Sequence, residues 1–569
     1  PQLGVKPDEH LVDVGTKVIN EKAGTTGYIF SMYRRGNDYL GYRHIGSYDY
    51  NWKQIKGGVL MNYLTATDTG RTFLFLRPSA YAEYTFRRLM NTSLGGRYEL
   101  EHNAVKSKIA DTLIPAAFSF DVTQLYLRNS ADKKVTYSLT YMQRRDRMPR
   151  NNEFNAQSHS HNVEFRSATT QWKNHQLGFT GTYRKLIIDD TTFNKQKPEE
   201  SLLGRLEYNG ILARGLISIN TMYEFGSGQE QKRSYTYVEV PAGQGVYTWN
   251  DYNADGVQQA NEFEVALYAD QKRFIRVFTP TNDYVKVNYI NYNQALTIEP
   301  ANVYRGKDTK GWQKFLARFS DQLSMQVGNR LLAAAGYDVY NPFMKAEDDT
   351  NTIFTNNSIA NTFFFNRTSS KWGLDHNYLS SNGKQLLNFG VENNTSSQHT
   401  GRARWNISKS FTLLVAQKQG YRSFNSPFSD NRSYHVDNWS TEPSLTWLNR
   451  SVLRIMVSYK HEERENKPPF GGQFAKLQTV SLDFRFSKPT TGAIQLRGAY
   501  SNIYYDGANN TSVSFIMLDA LQKGSNYLWG MTWDRRVGKG IEMSLEYEGR
   551  KPGTNPIIHT GRMSLRAIL

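Results

Sequence analysis

Tyr527-Leu-Trp529-Gly-Met531-Thr-Trp533-Asp534 is followed closely by Ile541-Glu-Met543-Ser-Leu545-Glu-Tyr547-Glu548. In both segments a large apolar residue stands at every second position, with Thr532, Asp534, Glu542, Ser544, Glu546 and Glu548 facing the other way. Side chains alternate across a β-strand, so a period of two gives each segment one oily and one charged face. The pattern recurs through the last third of the chain, from about Ser451 to Leu569. Leu453, Ile455, Val457 and Tyr459 carry it in one segment and Val480, Leu482, Phe484 and Phe486 in the next. Ile494, Leu496 and Tyr500 follow, and the sequence closes on Met563, Leu565, Ala567 and Leu569.

Two arrangements satisfy such a series. Apolar faces pack against one another in soluble sandwiches, or they face lipid while the charged faces line the lumen of a closed barrel. The apolar faces are large and aromatic, and candidate strands recur about every 20–25 residues, wider than the 8–12 of soluble sandwiches. The reading is therefore an all-β protein: a large antiparallel transmembrane β-barrel of about 20–24 strands with one long ordered insertion, in the cell outer membrane.

Composition agrees. Mean hydropathy is −0.63 and 21% of residues are charged, and no apolar run approaches the roughly 18–20 residues of a spanning helix. The longest are Phe411–Ala416 and Leu331–Ala335. A barrel hides from hydropathy because only alternate residues meet lipid. The 36 Tyr, 30 Phe and 10 Trp suit aromatic girdles at the two bilayer interfaces. No cysteine is present, which excludes disulfides, thiolate metal sites and thiol nucleophiles. The net charge is +17, but Lys and Arg are spread along the strands, which speaks against nucleic acid as a partner. It favours outer-membrane lipid, including the phosphates of lipopolysaccharide.

Residues 1–55 lack clean alternation and read as short, wet hairpins, the tail of an upstream or luminal region. Residues 56–569 read as the barrel, with 227–288 as an inserted loop subdomain. Proline stands first and no signal peptide is present, so the sequence reads as processed or part of a longer chain. Connection lengths differ but do not alternate cleanly. Ser487–Thr491 and Arg535–Gly540 are tight, whereas Glu463–Gln473 and Gly549–Thr560 are longer.

The insertion carries Asp251-Tyr-Asn253-Ala-Asp255-Gly256-Val257-Gln-Gln259-Ala-Asn-Glu262, which fits the calcium-loop pattern D-x-N-x-D-G-x5-E. Oxygens of Asp251, Asn253 and Asp255 converge, Gly256 allows the sharp turn, Val257 offers its carbonyl, Gln259 holds the ninth position and Glu262 closes the shell. The flanks, Tyr235–Val240 and Phe263–Leu267, are strand-like, so the expected calcium is structural, a clamp on a loop. An acidic turn of similar composition is the plainer alternative. His159 and His161 share a strand face near Glu164 and could begin a metal site. His461-Glu-Glu-Arg-Glu465 lacks the second histidine of a zincin. No phosphate loop, dinucleotide fingerprint or nucleophile elbow appears, and the reading is non-enzymatic. The inward set Arg454, Asp483, Arg485, Arg497, Asp534, Glu542, Glu546, Arg562 and Arg566 mixes signs, which fits a luminal ion-pair lattice or a selective channel wall.

Val238-Glu-Val-Pro-Ala-Gly-Gln-Gly-Val-Tyr247, the Asp251–Glu262 loop, Ile275-Arg-Val-Phe-Thr-Pro-Thr281 and the closing Tyr547–Leu569 with Gly549-Arg-Lys-Pro-Gly553 together resemble the C-terminal barrel region of large outer-membrane proteins of the Bacteroidota. The resemblance is specific over about 60 residues. It implies an outer-membrane location and a structural or conduit role in a multi-protein complex for protein export or assembly at the cell surface, with other outer-membrane or surface proteins as partners. The barrel is also similar in size to transporters of the TonB-dependent class, although no plug domain precedes these strands. A self-standing transport pore for solutes is the alternative function, and a soluble β-rich surface adhesin is a further one.

Overall fold

The computed structural model describes residues 8–129, 133–191, 198–304, 310–333, 340–343, 351–387, 390–426, 432–450, 452–488, 492–538 and 541–567; Ser451, Leu569 and part of the run Leu331–Ala335 fall outside them. Among the described residues there are twenty-seven strands, two of them only three residues long and the rest 10 to 25 residues. Among the described residues no helix is long and apolar enough to cross a membrane.

The chain forms two units, residues 1–210 with 222–229, and 211–221 with 230–569. In the first, each strand pairs antiparallel with the next, from Glu9–Asn20 and Gly24–Arg35 onward to His175–Ile188 and Glu199–Leu212. Residues 9–52 make three strands of 12 to 14 residues that continue directly into Ile55–Asp68, where the sequence suggested short hairpins. Their alternation is obscured because Tyr, Arg and Gly serve both faces. These three strands also account for most of the difference between the expected count and the observed one.

In the second unit the same meander runs from Phe274–Ile298 to Ile558–Ala567. Its connections sort by end. At one end lie the short connections 366–371 and 407–410; at the other lie the longer 467–473, 506–523 and 552–557. The alternation emerges once strand ends are known. Several strands continue past their last apolar residue, which blurs loop length in the sequence.

Register sets the faces. Tyr459, Val480, Tyr500 and Tyr527 form one row across four strands. Trp447, Ile455, Phe484, Leu496, Met531 and Tyr547 form another. Leu482 is 51% exposed, Val480 49% and Leu496 41%, and among the described residues no second protein layer covers them. The sandwich, and with it the soluble adhesin, is ruled out. A row of four large apolar side chains 40–49% exposed, Tyr459, Val480, Tyr500 and Tyr527, would be an aggregation surface in water; hydrocarbon is the medium in which it is stable. The chain is a large antiparallel β-barrel of the transmembrane, outer-membrane type.

The insertion and the inner chamber

One step along the strands from the Tyr459–Tyr527 row, the outward residues become His461, Gln478, Asn502 and Ser525. The strands run on past this change, and their opposite, inward face is covered there. The connection 506–523 folds back with a short helix, Ser512–Met517, capped by Thr511, whose Oγ1 accepts the Ser514 N–H at 3.0 Å. Val513, Met517, Leu518 and Leu521 pack on Tyr434, Val436, Ala475, Leu477, Ile503 and Tyr505. Among the described residues of the second unit this is the sizeable apolar core, and it lies on the face that elsewhere carries charge.

Residues 240–273 connect two long strands, Ile217–Glu239 and Phe274–Ile298, so the expected insertion is the tip of a hairpin. A small three-residue pair, Tyr247–Trp249 with Phe263–Val265, orders it. Phe263 stacks on Tyr237 at 3.9 Å between ring centroids and sits edge-on to Phe274.

Arginines from the strand ends hold this tip and the 506–523 segment. Arg432 lies 3.5 Å from Glu264 and donates to the Phe263 carbonyl at 2.8 Å, while Ser512 Oγ donates to Glu264 at 2.5 Å. Arg550 donates to Asp270 at 2.6 Å and lies over the Tyr268 ring at 4.4 Å. Arg464, nearly buried, donates to both oxygens of Asp519 at 2.9 and 2.8 Å, to Glu462 at 3.1 Å and to the carbonyls of Ile516 and Met517. Tyr268 donates to the Asp519 carbonyl at 3.2 Å. Burial pushes the Tyr268 hydroxyl up to about 12, so it remains a donor at neutral pH. None of these anchors was singled out by sequence reasoning. The available signal was the unalternated apolar run Phe515-Ile-Met-Leu518 in a connection.

Of the expected calcium ligands, Asp251, Asp255 and Glu262 bring carboxylate oxygens within 4.8 Å of one another. Asn253 Oδ1 accepts the Asp255 N–H (3.1 Å), Val257 N–H donates to Asp255 Oδ1 (2.7 Å) and Gln259 Nε2 donates to Asp255 Oδ2 (2.7 Å). Gly256 takes φ +73°, the left-handed turn that glycine adopts without a steric penalty. Glu262 is 2% exposed and accepts the Trp249 indole N–H at 2.8 Å. Three carboxylates this close repel unless a cation or proton is shared, and the donor set suits a hard divalent ion.

Other expectations do not converge. His159 bonds Asp189, His161 bonds the Tyr141 hydroxyl and Glu164 pairs with Arg166, so these three do not come together as a centre. His461 lies 3.2 Å from Glu463. Within the inward set, among the described residues, only Asp483 and Arg497 pair with each other, at 3.4 Å. Instead of a lattice there is a chamber of about 640 Å³ on the inner face, roofed by Tyr268 and Asp270 of the insertion.

No protein-family model and no curated protein sequence matches the chain. Among solved structures it is similar to BauA, the ferric preacinetobactin receptor from Acinetobacter baumannii, at 10% identity, over 93% of this chain and 77% of that one, with TM-score 0.32. It is similar to the outer membrane transporter YddB from Escherichia coli at 9% identity (92% and 83% covered, TM-score 0.31). OmpF of Salmonella typhi, solved with daunomycin, shows 11% identity (73% and 96% covered, TM-score 0.26). Likeness at this level assigns nothing to the chain, whose fold class rests on its own strand ladder and exposed apolar rows.

Proposed function

We propose that this barrel is a self-standing transport pore for polar solutes in the outer membrane, with residues 240–273 as an ordered plug over one mouth. The observation that carries the reading is the inner face. In the second unit it bears charged and hydroxylic side chains around open space, and the insertion and 506–523 pack on part of it. The proposal is of a non-enzymatic protein. By the rule that outer-membrane barrels carry short periplasmic turns and longer extracellular loops, the plugged mouth faces outside, toward lipopolysaccharide.

We further propose that calcium occupies the Asp251–Glu262 loop as a structural ion. Asp251, Asp255 and Glu262 would supply carboxylate oxygens, with the Val257 carbonyl beside them. The Asp251 carbonyl accepts from Asn510 at 3.1 Å, and Glu262 stands beside Phe263 and Glu264, both held by Arg432. An ion here would stiffen the part of the plug that is anchored.

Planar-bilayer recording tests the pore. The wild type should conduct weakly, and a chain with 244–272 replaced by a short Gly/Ser linker should give large steady currents. Silence in both would sink it.

A second reading, a structural or conduit subunit of an export or assembly complex of the kind the Bacteroidota resemblance implies, is favoured by one observation. The Glu9–Asn20 strand is exposed along its whole length, with Leu11 67% and Ile19 70% exposed. Co-purification of a stoichiometric partner that protects this strand would support that reading.

A further inference from the structure

The chamber under the insertion has an uneven charge pattern. One inward row reads Met456, Asp483, Arg497, Gly530, Glu548 and Thr560 across six strands. Gly530 has no side chain, so a gap opens between Arg497 and Glu548. Small residues, Ser481 and Ala499, border the row above. Five carboxylates line the space, Asp270, Glu442, Asp483, Glu546 and Glu548, against the two guanidinium groups of Arg497 and Arg550. Both cations are engaged, Arg550 with Asp270 and Arg497 with Asp483.

Glu442, Glu546 and Glu548 are left without an ion pair among the described residues. Lys460 on the neighbouring strand is taken up by Glu462 at 2.5 Å, and Arg562, opposite Glu546 in the ladder, makes no ion pair with it. This local excess of negative charge occurs in a chain whose net charge is +17. Set in a partly enclosed space, such charges raise the local concentration of cations. Gln495, Thr532 and Thr560 add neutral hydrogen-bonding groups.

We infer that the chamber is a binding site for a cationic solute, an organic amine with two or more ammonium groups spaced to meet Glu442, Glu546 and Glu548. This deepens the pore reading by naming a class of cargo. A cation of this kind displaces no existing ion pair, whereas an anion would have to pull Arg497 or Arg550 from its partner. The roof residue Asp270 comes from the plug, so the site is complete only with the insertion docked.

Calorimetric titration of the purified full-length chain with spermine tests it, with inorganic phosphate as the anionic probe. Saturable spermine binding is expected, weakened roughly tenfold or more by Glu442→Gln with Glu548→Gln, from the loss of two opposite charges. Phosphate should bind far more weakly. Absence of spermine binding by the folded wild type, binding unchanged in the double variant, or tighter binding of phosphate would overturn the inference. If the double variant does not fold, the wild-type comparison of the two probes still decides. Conductance is read separately: a chain that binds spermine and never conducts keeps the site and loses the pore, and one that conducts without binding spermine does the reverse.

Discussion

Two regions of the same strands make opposite use of one ladder. From Leu453 to Tyr459 the outward residues are apolar, with Val457 and Tyr459 exposed, while the inward Arg454, Met456 and Ser458 are a charge, a thioether and a hydroxyl. From His461 to Asn466 the outward residues are polar, while inward Glu462 and Asn466 are buried, Glu462 beside the Arg464 that holds 506–523 and Asn466 against 467–473. The strand register and the period are unchanged across this boundary. What changes is the partner: lipid on one side of the sheet below it, a protein segment on the other side above it. Alternation therefore tells which residues share a face, and only the covering partner tells what that face is for.

The anchored end is open to the most disruptive change. Arg464→Ala leaves Asp519 without its cation and Glu462 with Lys460 alone, and removing one member of a buried pair costs about 3–5 kcal/mol. Undocking of 506–523 is the expected result, read as new protease cleavage between Gly507 and Leu521 while the membrane-embedded strands stay protected. Cleavage no faster than in the wild type would show that the apolar contacts of Met517 and Leu518 suffice.

The bare end should respond to the face and not to the strand. Leu482→Arg places a charge in lipid at about 2–4 kcal/mol, whereas Ser481→Arg, one residue away and inward, should fold into lipid vesicles nearly as well as the wild type. Equal penalties would erase the distinction between the faces.

Calcium sharpens the comparison at the insertion. An ion at 100 times its dissociation constant stabilises by about 2.7 kcal/mol. Chelation should therefore speed cleavage within 244–272 and leave the strands untouched, and Glu262→Gln should abolish the difference. Insensitivity of the loop to chelator would reduce Asp251, Asp255 and Glu262 to an acidic turn.

The smallest effect is in pH. Burial works to raise the Asp519 carboxyl, and the Arg464 guanidinium outweighs it and holds that carboxyl below the usual carboxylate range. Its contribution to docking is then present above the unfolded value, about 3.9, and is lost as pH falls through the lower folded value. Protease protection of 506–523 should hold from neutral pH down to about 4 and weaken only below that.

Fold class was legible because lipid-facing rows such as Ile455, Phe484, Leu496 and Met531 need no partner from the chain to be recognised. The first three strands were not, since Tyr28–Tyr50 mixes tyrosine, arginine and glycine on both faces. The Asp251–Glu262 loop was legible because a cation site fixes residue type at fixed spacing. The anchors Arg432, Arg464 and Arg550 and the chamber carboxylates Glu442 and Glu548 were not. Each looks like any other inward charge until the fold places it beside residues distant in sequence, such as Asp270 beside Arg550.

Because the chain contains no cysteine, single cysteines can be introduced and labelled without background. Labels at Leu482 and at Ser481, adjacent on one strand, should respond oppositely in reconstituted vesicles. The account predicts that brominated acyl chains quench a fluorophore at 482 and aqueous iodide quenches one at 481. Iodide quenching at both positions, with no effect of brominated lipid, would contradict it.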